Sequence, residues 1–227
     1  MLPIMILLLL YRLRKGDDRK WSSISIWSWL IWIAITVVLS IGMAKAIHAQ
    51  EKKLSYSIRH DGDHIGNMEV KESRNGDRTS LRLDMQVRTR FIFSFSAKGT
   101  EEAVYDRGVM IYSFVYQDLN GTEKINKQTR LVGSSYVIKS KGVEENVQRP
   151  AIGYNMVCLY TMEPLQNKQV YCDKYQKFIP IQKIEEHHYR IQFPDNNSND
   201  YYYQNGLCAK IKVDHSFYSV VMEREDK

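Results

Sequence analysis

From Leu81 to Ala97 the chain alternates with almost no interruption. Odd positions hold Leu81, Leu83, Met85, Val87, Thr89, Phe91, Phe93, Phe95 and Ala97, and even positions hold Arg82, Asp84, Gln86, Arg88, Arg90, Ile92, Ser94 and Ser96. A period of two puts the first set on one side of an extended chain and the second on the other, the pattern of an antiparallel strand with one buried and one wet face. At about 3.3 Å per residue such a run would extend roughly 56 Å, well beyond an ordinary strand. Either the sheet is large and bent, or the strand breaks near Thr89-Arg90.

Turn chemistry points to the same class. Asn75-Gly76, Asn120-Gly121 and Asn205-Gly206 each separate alternating runs, and Asp61-Gly62 is a fourth such pair. These dipeptides suit two-residue hairpin loops, whose central residues take positive φ. Between them the sequence predicts strands over 53–60, 64–73, 79–98, 102–118, 122–131, 134–141, 168–173, 177–184, 188–193, 200–204, 207–214 and 217–223. One stretch departs from the pattern: in "GYNMVCLYTMEP" (153–164), Met156, Leu159, Tyr160 and Glu163 fall at helical spacing, with Pro150 and Pro164 at the flanks. A short helix lying on the sheet is expected there. The reading is all-β: one strongly curved antiparallel sheet or open barrel, with a short helix on its concave side and an N-terminal hydrophobic signal helix ahead of it.

That N-terminal helix is read from residues 21–44, which contain no charged residue. The apolar core over 26–44 is long enough to cross a hydrocarbon layer of about 30 Å. Arg12, Arg14, Lys15, Arg19 and Lys20 precede it against only Asp17 and Asp18, so the chain beyond the helix is expected to be translocated. Small residues then offer cleavage sites, with cleavage after Ala49 preferred; retention as an inner-membrane anchor is the alternative, and the only route to a membrane. The expected division is 1–49, an extension plus signal segment, and 50–227, a single exported β domain. Of the 32 Lys and Arg and 26 Asp and Glu, 26 and 24 lie beyond residue 49, a net of +2. Charges such as Arg82, Asp84, Arg88 and Arg90 are interspersed, so no basic stripe for nucleic acid is formed.

Three cysteines, Cys158, Cys172 and Cys208, are the only ones in the chain. In an oxidising compartment a Cys158–Cys172 bridge would close a short loop and contribute roughly 3 kcal/mol. Small buried hydrophobes without a bridge are the other reading.

Three stretches carry a family likeness: "LSYSIRHDGDHIGNMEV" (54–70), "RPAIGYNMVCLYTMEP" (149–164) and "YYYQNGLCAKIKV" (201–213). Together they resemble the landmarks of a family of exported bacterial β-domains of unknown function: a first hairpin ending in Ile-Gly, a Pro-led short helix, and a late Tyr-rich hairpin turning at Asn-Gly. The chain is more distantly similar to periplasmic proteins whose curved sheets resemble lipoprotein-carrier half-barrels. The resemblance implies a Gram-negative envelope location and transfers no functional residue.

Candidate sites are few. "HDGDH" gathers His60, Asp63 and His64 about a tight turn, a weak candidate for a metal, although Asp and Gly are what the turn requires in any case. In "EEHH" (185–188) His187 and His188 would point to opposite faces of a strand, and a solvated turn is expected. No nucleophile elbow, zinc-binding helix motif or phosphate-binding glycine loop is present, so neither an enzyme nor a cofactor is expected. The aromatic runs Phe91, Phe93, Phe95 and Tyr112, Phe114, Tyr116 are the candidate apolar face. If the sheet curls around them it would hold a lipid or another apolar ligand; if Met156, Leu159 and Tyr160 plug it, the protein is a structural or protein-binding envelope module.

Overall fold

The structure is a computed structural model that describes residues 50–90, 94–215 and 218–225. The signal segment and the cleavage site after Ala49 lie outside the described residues. No helix among the described residues is long and apolar enough to cross a membrane.

Fourteen strands form one sheet: β1 (Gln50–His60), β2 (Asp63–Asn75), β3 (Arg78–Arg90), β4 (Ser94–Asp106), β5 (Val109–Leu119), β6 (Thr122–Val132), β7 (Ser135–Ser140), β8 (Val143–Val147), β9 (Gln169–Cys172), β10 (Lys177–Glu185), β11 (His188–Gln192), β12 (Ser198–Gln204), β13 (Leu207–His215) and β14 (Tyr218–Arg224). The spatial order is β8-β7-β6-β5-β4-β3-β2-β1-β14-β13-β12-β11-β10-β9. The first described strand therefore lies mid-sheet; from it the chain winds out to the edge at β8, reappears at the opposite edge as β9, and winds back until β14 pairs with β1. The all-β, single-sheet reading is borne out, and the sheet is open.

The long alternating run is two strands. β3 ends at Arg90 and β4 starts at Ser94, and these two residues pair across the hairpin. The run's parity survives the turn, which is why the sequence reads as one strand. The predicted strand over 102–118 likewise divides at Arg107 (φ 48°) and Gly108 (φ 78°), a turn that lacks the Asn-Gly signature. Asp61-Gly62, Asn120-Gly121 and Asn205-Gly206 do hold positive φ at both positions. Asn75 instead stays in β2 opposite Arg78, leaving Gly76 and Asp77 as the loop. β8 is unmarked in the sequence: as an exposed edge strand, "VEENV" has no buried face to impose alternation.

The connection from β8 to β9 runs through the interior. Ile152, Tyr154, Asn155, Met156, Val157, Cys158 and Leu159 are all buried. The segment first attaches beside β5 and β7: Ile152 N donates to Tyr136 Oη (3.0 Å), Tyr136 Oη donates to Met110 O (3.0 Å), and Met110 N donates to Ile152 O (2.8 Å). It then pairs in parallel with β9 through Tyr171 N to Tyr154 O (2.9 Å) and Met156 N to Tyr171 O (3.1 Å). Because Asn155 is committed to this bridge and the chain turns at Met156 and Val157, the expected helix shrinks to one turn, α1 (Cys158–Thr161), which packs on β13 and β2.

A buried polar cluster fixes the crossing. Asn155 Nδ2 donates to Asp173 Oδ2 (3.0 Å), Tyr105 Oη donates to Asn155 Oδ1 (2.9 Å), Asn155 N donates to Tyr105 Oη (3.1 Å), and Ser113 Oγ donates to Asp173. These bonds join β4, β5, the crossing segment and the residue after β9. The sheet has therefore curled until its distant parts touch, as the bond from Lys127 Nζ of β6 to Lys174 O (2.7 Å) also shows. Removing Asn155 strands several buried partners at once, each costing about 1–3 kcal/mol. Asn155→Leu is expected to destabilise the protein by about 3 kcal/mol or more, read as a fall in urea midpoint, whereas Asn126→Ala on the exposed face of β6 should change it by less than about 0.5 kcal/mol.

Candidate ligand cavity

The crossing segment fills only part of the interior. Beyond it lies a cavity of about 550 Å³, partly open to solvent and within the range of about 300–1,000 Å³ typical of small-molecule sites. Its walls are mostly apolar, with Ile58, Met68, Leu83, Met85, Val87, Val115, Val213, Val220 and Met222 among the lining residues. β4 explains why space remains. Its inward positions from Ala97 onward are Ala97, Gly99, Glu101 and Ala103, so three of four carry almost no side chain. His60, Thr89, Phe95, Leu119, His215 and Tyr218 lie near hairpin ends and form the mouth with residues of the 193–197 loop. At the opposite end stand Glu101 and Tyr160, the latter from α1.

Glu101 is the residue that sequence reasoning missed. "GTEEAVYD" offers two acidic neighbours, and only strand parity tells that Glu102 points outward to Arg82 while Glu101 points in. It is part-buried and lines the cavity. Burial raises its carboxyl to about 7, with the negative charge of Asp173 adding to the effect. Asp173 is itself pushed up by burial, against the opposing hydrogen bonds from Ser113 and Asn155. Among the described residues no hydrogen bond reaches the Glu101 carboxyl or the Tyr160 hydroxyl.

The six aromatic candidates separate. Phe91 and Phe93 lie outside the described residues. Phe95 lines the cavity, and Tyr116 also borders it. Tyr112 and Phe114 do not; they line a separate outer groove with Glu102, Glu123, Gln128 and Lys139. The cause is a bulge. Tyr105 pairs with Met110 but Val104 pairs with Tyr112, so Ile111 is extra and the inward set after Met110 becomes Ser113, Val115, Gln117 and Leu119.

The histidine clusters disperse in the same way. His60 Nδ1 bonds with Ser219 O (2.7 Å), and His64 Nε2 with Asn67 Oδ1 (2.9 Å). His187 Nδ1 meets buried Glu163 (3.0 Å), which also accepts from Tyr189 Oη (2.9 Å), while His188 Nε2 meets Asp200 (2.9 Å), which is gripped by Arg190 through two bonds. No group of three metal-ligating side chains gathers among the described residues, His60, Asp63 and His64 included. The three cysteines are free and buried, and burial pushes the thiols up to about 11 at Cys158 and about 12 at Cys172 and Cys208. No Cys158–Cys172 bridge forms.

Fold and cavity together define an open, β-barrel-like protein with an apolar interior chamber. It is similar to the β-barrel-like protein of domain of unknown function DUF1849 from Brucella abortus, known from a crystal structure, with a TM-score of 0.52 and 11% identity over 80% of this chain and 98% of that one. At that identity the likeness is one of fold. No curated protein matches the chain. The model of the domain of unknown function DUF6134 matches residues 56–225, and the chain belongs to that family. The likeness to a β-domain family of unknown function, drawn from the three landmark stretches, is borne out.

The raised carboxyl has a consequence for stability. Between the ordinary value of 4.5 and about 7 the folded state binds a proton at Glu101 that the unfolded chain has lost, so this group's contribution falls as pH rises through that window and then levels off. Glu101→Gln is expected to leave stability near pH 4 almost unchanged and to raise it above about pH 7.5 by up to about 3 kcal/mol, measured by chemical denaturation across pH.

Proposed function

We propose that this protein is a non-enzymatic carrier or receptor of an apolar ligand such as a lipid chain, which it holds in the chamber between the crossing segment and the mouth. The observation that carries this reading is the half-filled interior. Small side chains on β4 leave apolar walls facing empty space, where Leu or Phe at those positions would have completed an ordinary core. Apolar chambers of this size bind apolar molecules because ligand atoms supply the contacts the walls lack. The sequence of residues 12–49 supports placing the work outside the cytoplasm, in the cell envelope, where such a ligand is at hand. The separately paired histidines and the high-titrating buried thiols favour binding over catalysis.

The test uses the protein expressed from the full 227-residue sequence. Lipids extracted from it should include a bound apolar species in near-stoichiometric amount by mass spectrometry, and the delipidated protein should enhance the fluorescence of N-phenyl-1-naphthylamine. Met85→Trp, which fills the chamber, should weaken binding of that probe by about tenfold or more, while Phe114→Ala in the outer groove should leave it within about twofold. Equal effects of the two variants would remove the chamber as the site, and a protein-binding envelope module would take its place.

A further inference from the structure

The inner end of the chamber is built unlike its walls. A hydrocarbon chain that entered tail first would press its terminal methyl against the Glu101 carboxyl and the Tyr160 hydroxyl, both of which line the chamber and neither of which is hydrogen-bonded among the described residues. Such a pose would take both groups out of cavity water without giving either a partner, an arrangement that weakens binding. The end wall therefore calls for a polar ligand group that can hydrogen-bond to both.

The charge pattern narrows the choice further. The groups that act electrostatically with Glu101 are Asp173 behind β9, Cys172 of β9, Tyr160 of α1 and Tyr201 of β12. Its partners across the sheet are apolar, Leu83 on β3 and Val115 on β5. Every titratable group in this set is an acid; the lysine that lines the chamber, Lys174, is engaged by Asp195 (3.5 Å) and lies over the Tyr175 ring (4.7 Å). Tyr160 is the aromatic residue of this wall, and its ring packs edge-on against fully buried Tyr56 (6.0 Å) and Tyr201 (6.2 Å). Carboxylate, phenol oxygen and ring faces all attract positive charge. The chamber walls run from Thr89 to Leu83 along β3, roughly 20 Å of strand, long enough for a substantial alkyl chain behind a small head.

We infer that Glu101 and Tyr160 form a recognition site for the ammonium group of a single-chain amphiphile, a long-chain primary amine that enters head first. This inference rests on the chamber being the binding site. The ammonium donates to the Glu101 carboxylate and the Tyr160 hydroxyl, and its alkyl chain replaces water along the walls. Burial that raises the empty carboxyl toward neutrality is offset by the cation, so the bound form is the ionised pair.

Three ligands of equal length, dodecylamine, dodecanol and dodecanoate, separate the possibilities when each displaces N-phenyl-1-naphthylamine from the full-sequence protein below its micelle concentration. Near pH 8.5 dodecylamine should bind about tenfold or more tighter than either other ligand, and its advantage should shrink near pH 5.5, where Glu101 is protonated. Glu101→Gln should abolish the amine preference at both pH values, each ligand being read against that variant's own affinity for the probe. Tyr160→Phe should reduce the preference severalfold. Equal binding of the three ligands, or an amine preference that survives Glu101→Gln, overturns the inference but leaves the chamber in place. Failure of the probe and of all three ligands to bind overturns the chamber itself.

Discussion

The structure depends on one connection, residues 148–168. Every other link between consecutive strands is a local hairpin or short loop, whereas this one must carry the chain from one edge of the sheet to the other. Its route through the interior solves two problems together. A curled sheet of this width has more inner surface than its own side chains cover, and the crossing segment supplies Ile152, Val157 and Leu159 to fill it. Buried backbone needs partners, and tyrosines of the sheet reach in to provide them: Tyr136 to Ile152 N, Tyr105 to Asn155 N and Tyr203 to Leu159 O, while the segment's own Tyr154 donates to Met162 O. A tyrosine can do this from a sheet face because its ring packs as a core residue while its hydroxyl extends to the next layer. The Asn155 cluster is where these ties converge.

Much of this was legible in the sequence. Alternation along 81–97 and the Asn-Gly pairs are local signals, and they describe a local architecture, since nearly every strand pairs with its chain neighbour. The turn at 107–108 was missed because Arg is not a residue that advertises positive φ, and β8 because an edge strand in water is under no pressure to alternate. Tyr112 and Phe114 show a deeper limit. One extra residue at Ile111 reverses which face every later β5 side chain occupies, and nothing in "VMIYSFVYQDL" marks the bulge. The plug and the chamber were set against each other as alternatives from the sequence; in the fold they coexist, one above the other. Glu101 was invisible for a related reason. An acidic residue in a strand reads as outward-facing, and only the register against Leu83 and Val115 turns it inward.

The chamber's boundaries come from the same economy of means. Within the crossing segment, Tyr160 of α1 stands at the inner end of the chamber, and the walls beyond it are largely aliphatic up to the aromatic and polar mouth. Glu163, just past the helix, is held by Tyr189 Oη and His187, and Glu163 N by Gly206 O, so the plug is fastened at its far end as well as at Asn155. A plug tied at both ends keeps its position, and so the depth of the space above it is set by the fold.

A final consequence concerns the seam. In a fully hydrogen-bonded barrel, girth is dictated by strand number and stagger. Here β8 and β9 share no ladder, and the gap is spanned by Lys127 on the Lys174 carbonyl, Ser113 on Asp173 and the short parallel bridge at Asn155. Only Lys127 makes its tie with a long side chain; Ser113, Asp173 and Asn155 are buried, so the seam is closed by specific side chains and one bridge where a barrel would use a ladder. The molecule is a clasped cuff, not a soldered ring: its girth at the seam is held by a few individual ties instead of by a continuous ladder.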